Sequence, residues 1–411
     1  MNPLLYAKGG DVTAWRSTED FIAAYHQALL ERAASDLSGG AEAVLAETSA
    51  SIEAAIATHR HLLTRLESLS EELSAEAPSA NLMELTLSFY SDLYRHFGTF
   101  HSVPAFYQLS MRFLSRASTA IIARAMGHLG PAAAVLPEMA LIAVGPAGRS
   151  EYSPFCQLQL LLVHDKASGP QLDGIELFCQ ALHTGFEAAG LEIDPVVTPR
   201  NAQWRGSLAE WQQRCTGSLL PQTGEEVFNF YRLVDQHPLS SADRLVREFK
   251  QTSSTALSGN RLAVTNLVER MASLSNGLSL MGRLKLERSG KDRGLFRLLE
   301  NGLHPFSAAL SALALVKNIE ADGNCERILA LLRLGELDVE LAERMLETWH
   351  TLHDLRLQRE QSFQIGTRTS EVACLDPDKL TAEQLQSLKE ALESVAAIQR
   401  HVDITFTGMG E

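Results

Sequence analysis

Basic charge is in short supply. The 411-residue chain carries 36 Lys and Arg against 50 Asp and Glu, a net charge of −14. A general nucleic-acid binder needs a basic face to meet phosphate. No basic stripe offsets this balance, so that class is excluded, although a small local basic pocket is left open. Cysteine is scarce too: Cys156, Cys179, Cys215, Cys325 and Cys374 are odd in number and lack Cys-x-x-Cys spacing. That excludes a disulfide framework and a zinc ribbon, and fits reduced thiols. No apolar run approaches the length of a membrane span. Asp11 and Glu19 stand near the start with no apolar core beside them, so no secretory leader is expected. These absences predict a cytoplasmic protein with neither a membrane nor a nucleic-acid partner.

What is present is the makeup of a globular protein, 45% hydrophobic and 21% charged. The length is too great for one ordinary core. Most of the chain has helical periodicity. Ser17-Thr18-Glu19-Asp20 opens a helix that Ser38-Gly39-Gly40 ends, and a long amphipathic segment covers about 41–73. Further helices are expected over 81–97 and 104–128, so antiparallel helices account for the first 130 residues. After Gly130-Pro131 the pattern changes. Met139–Val144, Leu158–His164 and Leu191–Thr198 read as strands, with a helix over 170–189 before the third. Ser207-Leu208-Ala209-Glu210 and Thr381-Ala382-Glu383-Gln384 are capping boxes. Beyond the first of these, helices are expected over 223–236, 240–251, 260–285, 304–320, 325–334, 338–362 and 381–402.

The chemistry concentrates between the first two strands, in Gly145-Pro146-Ala147-Gly148-Arg149-Ser150-Glu151. A glycine-bearing turn between strands brings backbone N–H groups together where phosphate oxygens would fit, and Arg149 adds a fixed cationic fork. Pro146 removes one of those donors. A tight turn with a structural Arg149–Glu151 ion pair explains the same residues without a ligand. His350, His353 and Asp354 share a helix face, but no metal motif accompanies them, so an ordinary polar face is expected there. Trp204 and Trp211 are expected to pack on the sheet, and Cys156 to be a buried, inert thiol.

The stretch from Gly145 to Val163 resembles the active-site hairpin of the polymerase-β-like nucleotidyltransferase superfamily. It is most similar to a bacterial branch that includes the PII-protein uridylyltransferases and is often fused to CBS and cyclic-nucleotide domains. That branch carries Gly-Gly/Ser-x-Gly-Arg-x-Glu, then Asp-x-Asp and an apolar strand. Gly145, Gly148, Arg149 and Glu151 match it, Pro146 takes the second Gly/Ser position, and Gln157-Leu158-Gln159 stands in place of Asp-x-Asp. Asn201–Leu208 is similar to a downstream Asn-Pro-x-Trp-Arg-Gly-Ser segment. Residues 283–361, with Gly302-Leu303-His304-Pro305, Glu326-Arg327 and Leu355-Arg356-Leu357, resemble the branch's C-terminal substrate-binding domain. There, Arg297-Leu298-Leu299 replaces an Asp-x-Lys pair, and Ser311 replaces an arginine.

The resemblance implies a mostly α fold with a small α+β nucleotidyltransferase-like mixed sheet between two helical regions. The expected division is a helical bundle over 1–130, the nucleotidyltransferase-like unit over 131–220 and the substrate-binding domain over 221–411. Nucleotidyl transfer needs Mg²⁺ held by carboxylates. Two Asp at i, i+2 on one strand point the same way. Gln157 and Gln159 keep that spacing and lose both charges, so the expected protein is a degenerate, non-catalytic regulator that binds a nucleotide or a PII-like or other signalling protein. The alternative is an active uridylyl- or adenylyltransferase using Mg²⁺ and a nucleoside triphosphate, with Glu151 and Asp194 as residual acids and Glu192 beside them. A closed, purely structural module is the third reading. Gly145, Pro146, Gly148 and Arg149 are the nucleotide-binding candidates, and no metal site is expected.

Overall fold

The computed structural model describes residues 50, 53–54, 56–66, 68, 79–216, 232–240, 242–279, 281–365 and 372–407. The helix expected over 17–38, both ends of the one over 41–73 and most of the one over 223–236 lie outside them.

Helices α1 (Ser79–Phe100) and α2 (Val103–Leu129) form where the periodicity places them. Ser102 caps α2 by accepting from Ala105 N, and Pro104 sits in the first turn, where no intrahelical N–H is needed. Strands β1 (Met139–Val144) and β2 (Gln159–His164) pair antiparallel, with Leu141 opposite Leu162. After its first residue each strand is buried throughout, which is why both read as continuous apolar runs and not as alternation. Helix α3 (Pro170–Ala188) follows and packs on α2.

The strand expected over Leu191–Thr198 does not form a ladder. It is reduced to one bridge, Leu158 to Ile193. Pro195 has no N–H to give, and the Asp194 carboxylate accepts from Val196 N (2.8 Å) and Val197 N (2.9 Å), which turns the chain away. Two other strands complete the sheet: β3 (Arg205–Ser207), parallel to β2, and β4 (Gln236–Pro238), antiparallel to β1. The order is β3-β2-β1-β4. Gln236 therefore belongs to a strand, not to the end of a helix. Helix α4 (Leu208–Thr216) starts at its capping box, with Ser207 N donating to Glu210 Oε2 at 2.7 Å. Trp211 is buried and donates to Leu162 O at 3.1 Å, and Trp204 is buried beside it, so both tryptophans support the sheet. Helix α5 (Asp243–Ser258) packs on β1 and β2.

The second helical region comprises α6 (Arg261–Ala272), α7 (His304–Val316), α8 (Asn324–Arg333), α9 (Val339–Gln361) and α10 (Ala382–Thr407), with a two-stranded ribbon of β5 (Phe296–Arg297) and β6 (Cys374–Leu375). Helix α6 stops well short of 285. Ser275 Oγ accepts from Gly277 N, Asn276 Oδ1 accepts from Leu278 N, and Gly277 has φ +72°, so local side-chain bonds and a left-handed residue replace the helical ladder. Helix α10 starts at the Thr381–Gln384 box, with both reciprocal bonds formed. Helix α9 is the spine: it packs on α8 and α10 and also against α1 and α2. The fold is mostly α, with one small mixed sheet between helical regions.

Candidate functional site

After β1 the chain makes one helical turn, Gly145–Gly148. The loop then closes on itself: Arg149 N donates to Gly145 O (3.0 Å), Ser150 N to Ala147 O (3.1 Å) and Glu151 N to Pro146 O (2.8 Å). Ser150 holds φ +62°, a rare conformation for a residue with a side chain, and it brings Arg149 and Glu151 to the same side. Gly148 is required by packing, because a Cβ there would lie 2.3 Å from the Asp235 carbonyl oxygen.

Arg149 and Glu151 are not turned to solvent. Arg149 Nε donates to Glu151 Oε2 at 3.0 Å, and its terminal nitrogen meets Asp235 Oδ2 at 2.5 Å. Asp235 is wholly buried and also binds Arg327 at 2.6 Å; Arg327 in turn donates to Ser311 Oγ at 2.8 Å. Glu151 Oε1 accepts from Asn324 Nδ2 and Trp349 Nε1, both at 2.8 Å, and lies 3.6 Å from His353 Nε2. Burial works against the charged form of Glu151, but His353, Arg149 and Trp349 outweigh it and hold the carboxyl well below the usual range. Burial pushes His353 down, against the pull of Glu151. A second cluster continues along α9: Arg356 pairs with Glu360 at 2.7 Å and contacts Ser153 Oγ and Cys156 Sγ, while Glu360 accepts from Ser153 and from Tyr94. Three arginines and three carboxylates thus share one buried region, and their charges cancel.

Gln157 and Gln159 lie apart from that network. Gln157 Nε2 donates to Glu192 Oε1 at 2.7 Å, and Gln159 Nε2 to Asp194 Oδ2 at 3.0 Å. A carboxylate only accepts, so each amide must turn its NH₂ toward the acid. Gln159 Oε1 then rests on Gly145, 2.5 Å from where a Cβ would stand. A magnesium ion does not fit these residues. Both acids are already capped by amide donors, Asp194 is further engaged by two backbone N–H groups, and neutral amides are poor replacements for carboxylates. Among the described residues no three His, Cys, Asp or Glu side chains gather to hold a metal.

The matched segments bracket this geometry. Residues 95–225 match the family model described as "Putative nucleotidyltransferase DUF294", and residues 261–406 match the "Putative nucleotidyltransferase substrate binding domain". The chain belongs to this nucleotidyltransferase-like family. No curated protein matches it. In this member of the family the boundary between the two matched segments is crossed by buried hydrogen bonds, with Glu151 on one side and Asn324 and Trp349 on the other.

His350, His353 and Asp354 do not converge on a common ligand. His353 shares a 2.7 Å hydrogen bond with Tyr107, and Asp354 faces His101 and Gln358. Cys156 is buried against Arg356. Sequence reasoning missed Asp235, Asn324, Trp349 and Glu360. A signal for the last two exists: Trp349, His353, Arg356 and Glu360 recur at helical spacing beside buried Leu352, so polar groups occupy the core-facing side of α9.

Proposed function

We propose that the chain is a nucleotidyltransferase-fold protein that has given up nucleotidyl transfer and acts by binding, as a regulatory component of bacterial signalling in the cytoplasm. One observation carries the reading: Gln157 and Gln159 use their amide donors to cap Glu192 and Asp194, the acids nearest the position of the lost metal. The recruited carboxylates that activity would need are both committed, Glu151 under Trp349 and Asn324 and Asp194 under Gln159. The inward bonds of the loop N–H groups and the engagement of Arg149 by two acids favour a protein partner over a nucleotide.

The test restores the acids. In Gln157→Asp with Gln159→Asp, four carboxylates face one another, so the protein melts lower without metal and Mg²⁺ raises its Tm; the natural protein shows no Mg²⁺-dependent shift. Calorimetry with ATP, UTP, GTP and CTP gives no heat with the natural protein. Incorporation of labelled nucleotide into an acceptor protein by the natural chain, dependent on Mg²⁺ and abolished by EDTA, would sink the reading.

A further inference from the structure

One surface runs against the charge of the whole molecule. Between Met281 and Arg293 the chain carries five cations, Arg283, Lys285, Arg288, Lys291 and Arg293, and two acids, Glu287 and Asp292. Nearly every residue from 281 to 294 is exposed. The segment is nevertheless ordered by its backbone: Lys285 N donates to Gly277 O (2.8 Å), Ser279 N to Arg283 O (2.8 Å), Glu287 N to Leu295 O (2.9 Å) and Gly294 N to Glu287 O (2.9 Å). Its own acids are taken from within, because Arg297 pairs with Glu287 at 2.8 Å and with Asp292 at 3.6 Å. Among the described residues none of the five cations has a carboxylate within ion-pair distance; Lys285 alone has a side-chain partner, Ser275 Oγ at 3.2 Å. Met281, 83% exposed, and Leu286, 38% exposed, place apolar groups among them.

We infer that residues 281–293 form a docking surface for an acidic, partly apolar peptide segment of a partner protein. Exposed arginines without a carboxylate of their own, set beside an exposed methionine, suit carboxylate-rich peptides that also carry aliphatic side chains. Nucleic acid fits less well: no aromatic or histidine lies between residues 273 and 295 to stack on a base, and the exposed Met281 and Leu286 have no counterpart on a phosphate backbone. This inference rests on the reading of the chain as a binding protein and gives that reading a partner class.

The test uses the full chain and a fluorescein-labelled peptide of alternating Glu and Leu, with a Gln/Leu peptide, a single-stranded oligonucleotide and phosphatidylserine vesicles as competing arms. Saturable binding to the Glu/Leu peptide alone is expected, weakening as salt rises. Arg283→Ala with Arg288→Ala and Arg293→Ala spares the turn glycines and weakens that binding about tenfold. Circular dichroism of the variant stays unchanged. Equal binding of the two peptides, an unaltered affinity in the variant, or preference for the oligonucleotide or vesicles overturns the inference. Nucleotide calorimetry and labelled-nucleotide incorporation with the natural chain separate the outcomes: nucleotide heat or incorporation defeats the binding reading, whereas loss of peptide selectivity without either defeats only the docking surface.

Discussion

Asp235→Asn tests whether the buried charges behave as one network. Asp235 is wholly buried between Arg149 and Arg327, and Asn would keep its shape while removing its charge. Arg149 would still have Glu151, but Arg327, 1% exposed, would have no acid left. Stranding a buried charge costs about 3–5 kcal/mol. Whole-protein stability is about 5–15 kcal/mol, so the loss is a large fraction of it. Arg327→Met costs less, about 1–3 kcal/mol, because Asp235 keeps Arg149. The double variant removes both members and leaves a neutral remainder, so its loss falls short of the sum by about 1–3 kcal/mol. Urea unfolding followed by tryptophan fluorescence and circular dichroism measures all four proteins, with the slope required to stay constant. A loss below about 1 kcal/mol in Asp235→Asn, or additivity within about 0.5 kcal/mol, refutes the reasoning.

Gly148→Ala should destabilise by about 3 kcal/mol, because its Cβ meets the rigid Asp235 carbonyl. Gly145→Ala should cost about 1–2 kcal/mol for its φ of +64°, since the facing Gln159 amide can move; thermal melts that reverse this order contradict the packing. Acid stability supplies another check. Burial lowers His59 to about 4, with His96 and Arg112 adding to it, and burial lowers His96 to about 4. The folded pKa values lie below the unfolded ones, so the unfolded chain binds protons first. The stability these histidines contribute is complete above about pH 6.5 and drains away as pH falls toward 4. His59→Leu should flatten urea midpoints across that window, and an unchanged slope counts against it.

Much of the fold was legible because it rests on periodicity and capping. β1 and α2 follow from an apolar run and from helical spacing, and both capping boxes formed as their residue types require. What stayed hidden depends on contacts distant in the chain. β3 and β4 are three residues each and polar, and they become strands only because β2 and β1 offer open edges. The pairing of Asp235 with Arg149 spans 86 positions, and no local pattern announces it. The basic segment at 283–293 was visible in composition, but a net charge summed over the whole chain masked it.

The positions where the chain departs from its family resemblance share a physical property. Gly145, Gly148 and Glu151, which match, are buried, and Arg149, the fourth match, is half-buried but held by two acids; Pro146, Gln157 and Gln159, which depart, are half-buried and outside that network. A matched residue here is a joint. Changing Glu151 would leave Arg149 short of a partner and orphan donors on Asn324 and Trp349, whereas exchanging an aspartate for Gln159 supplies a donor to Asp194. Ser311, the one buried departure, obeys the same rule, because its hydroxyl accepts from Arg327 and donates to Asp235. Survival of the Gly-x-x-Gly-Arg-x-Glu signature is therefore poor evidence for phosphate chemistry in this chain. Its residues are held by what their loss would do to the buried charge balance, and what bears on chemistry is the half-exposed pair, Gln157 and Gln159, that stability does not protect.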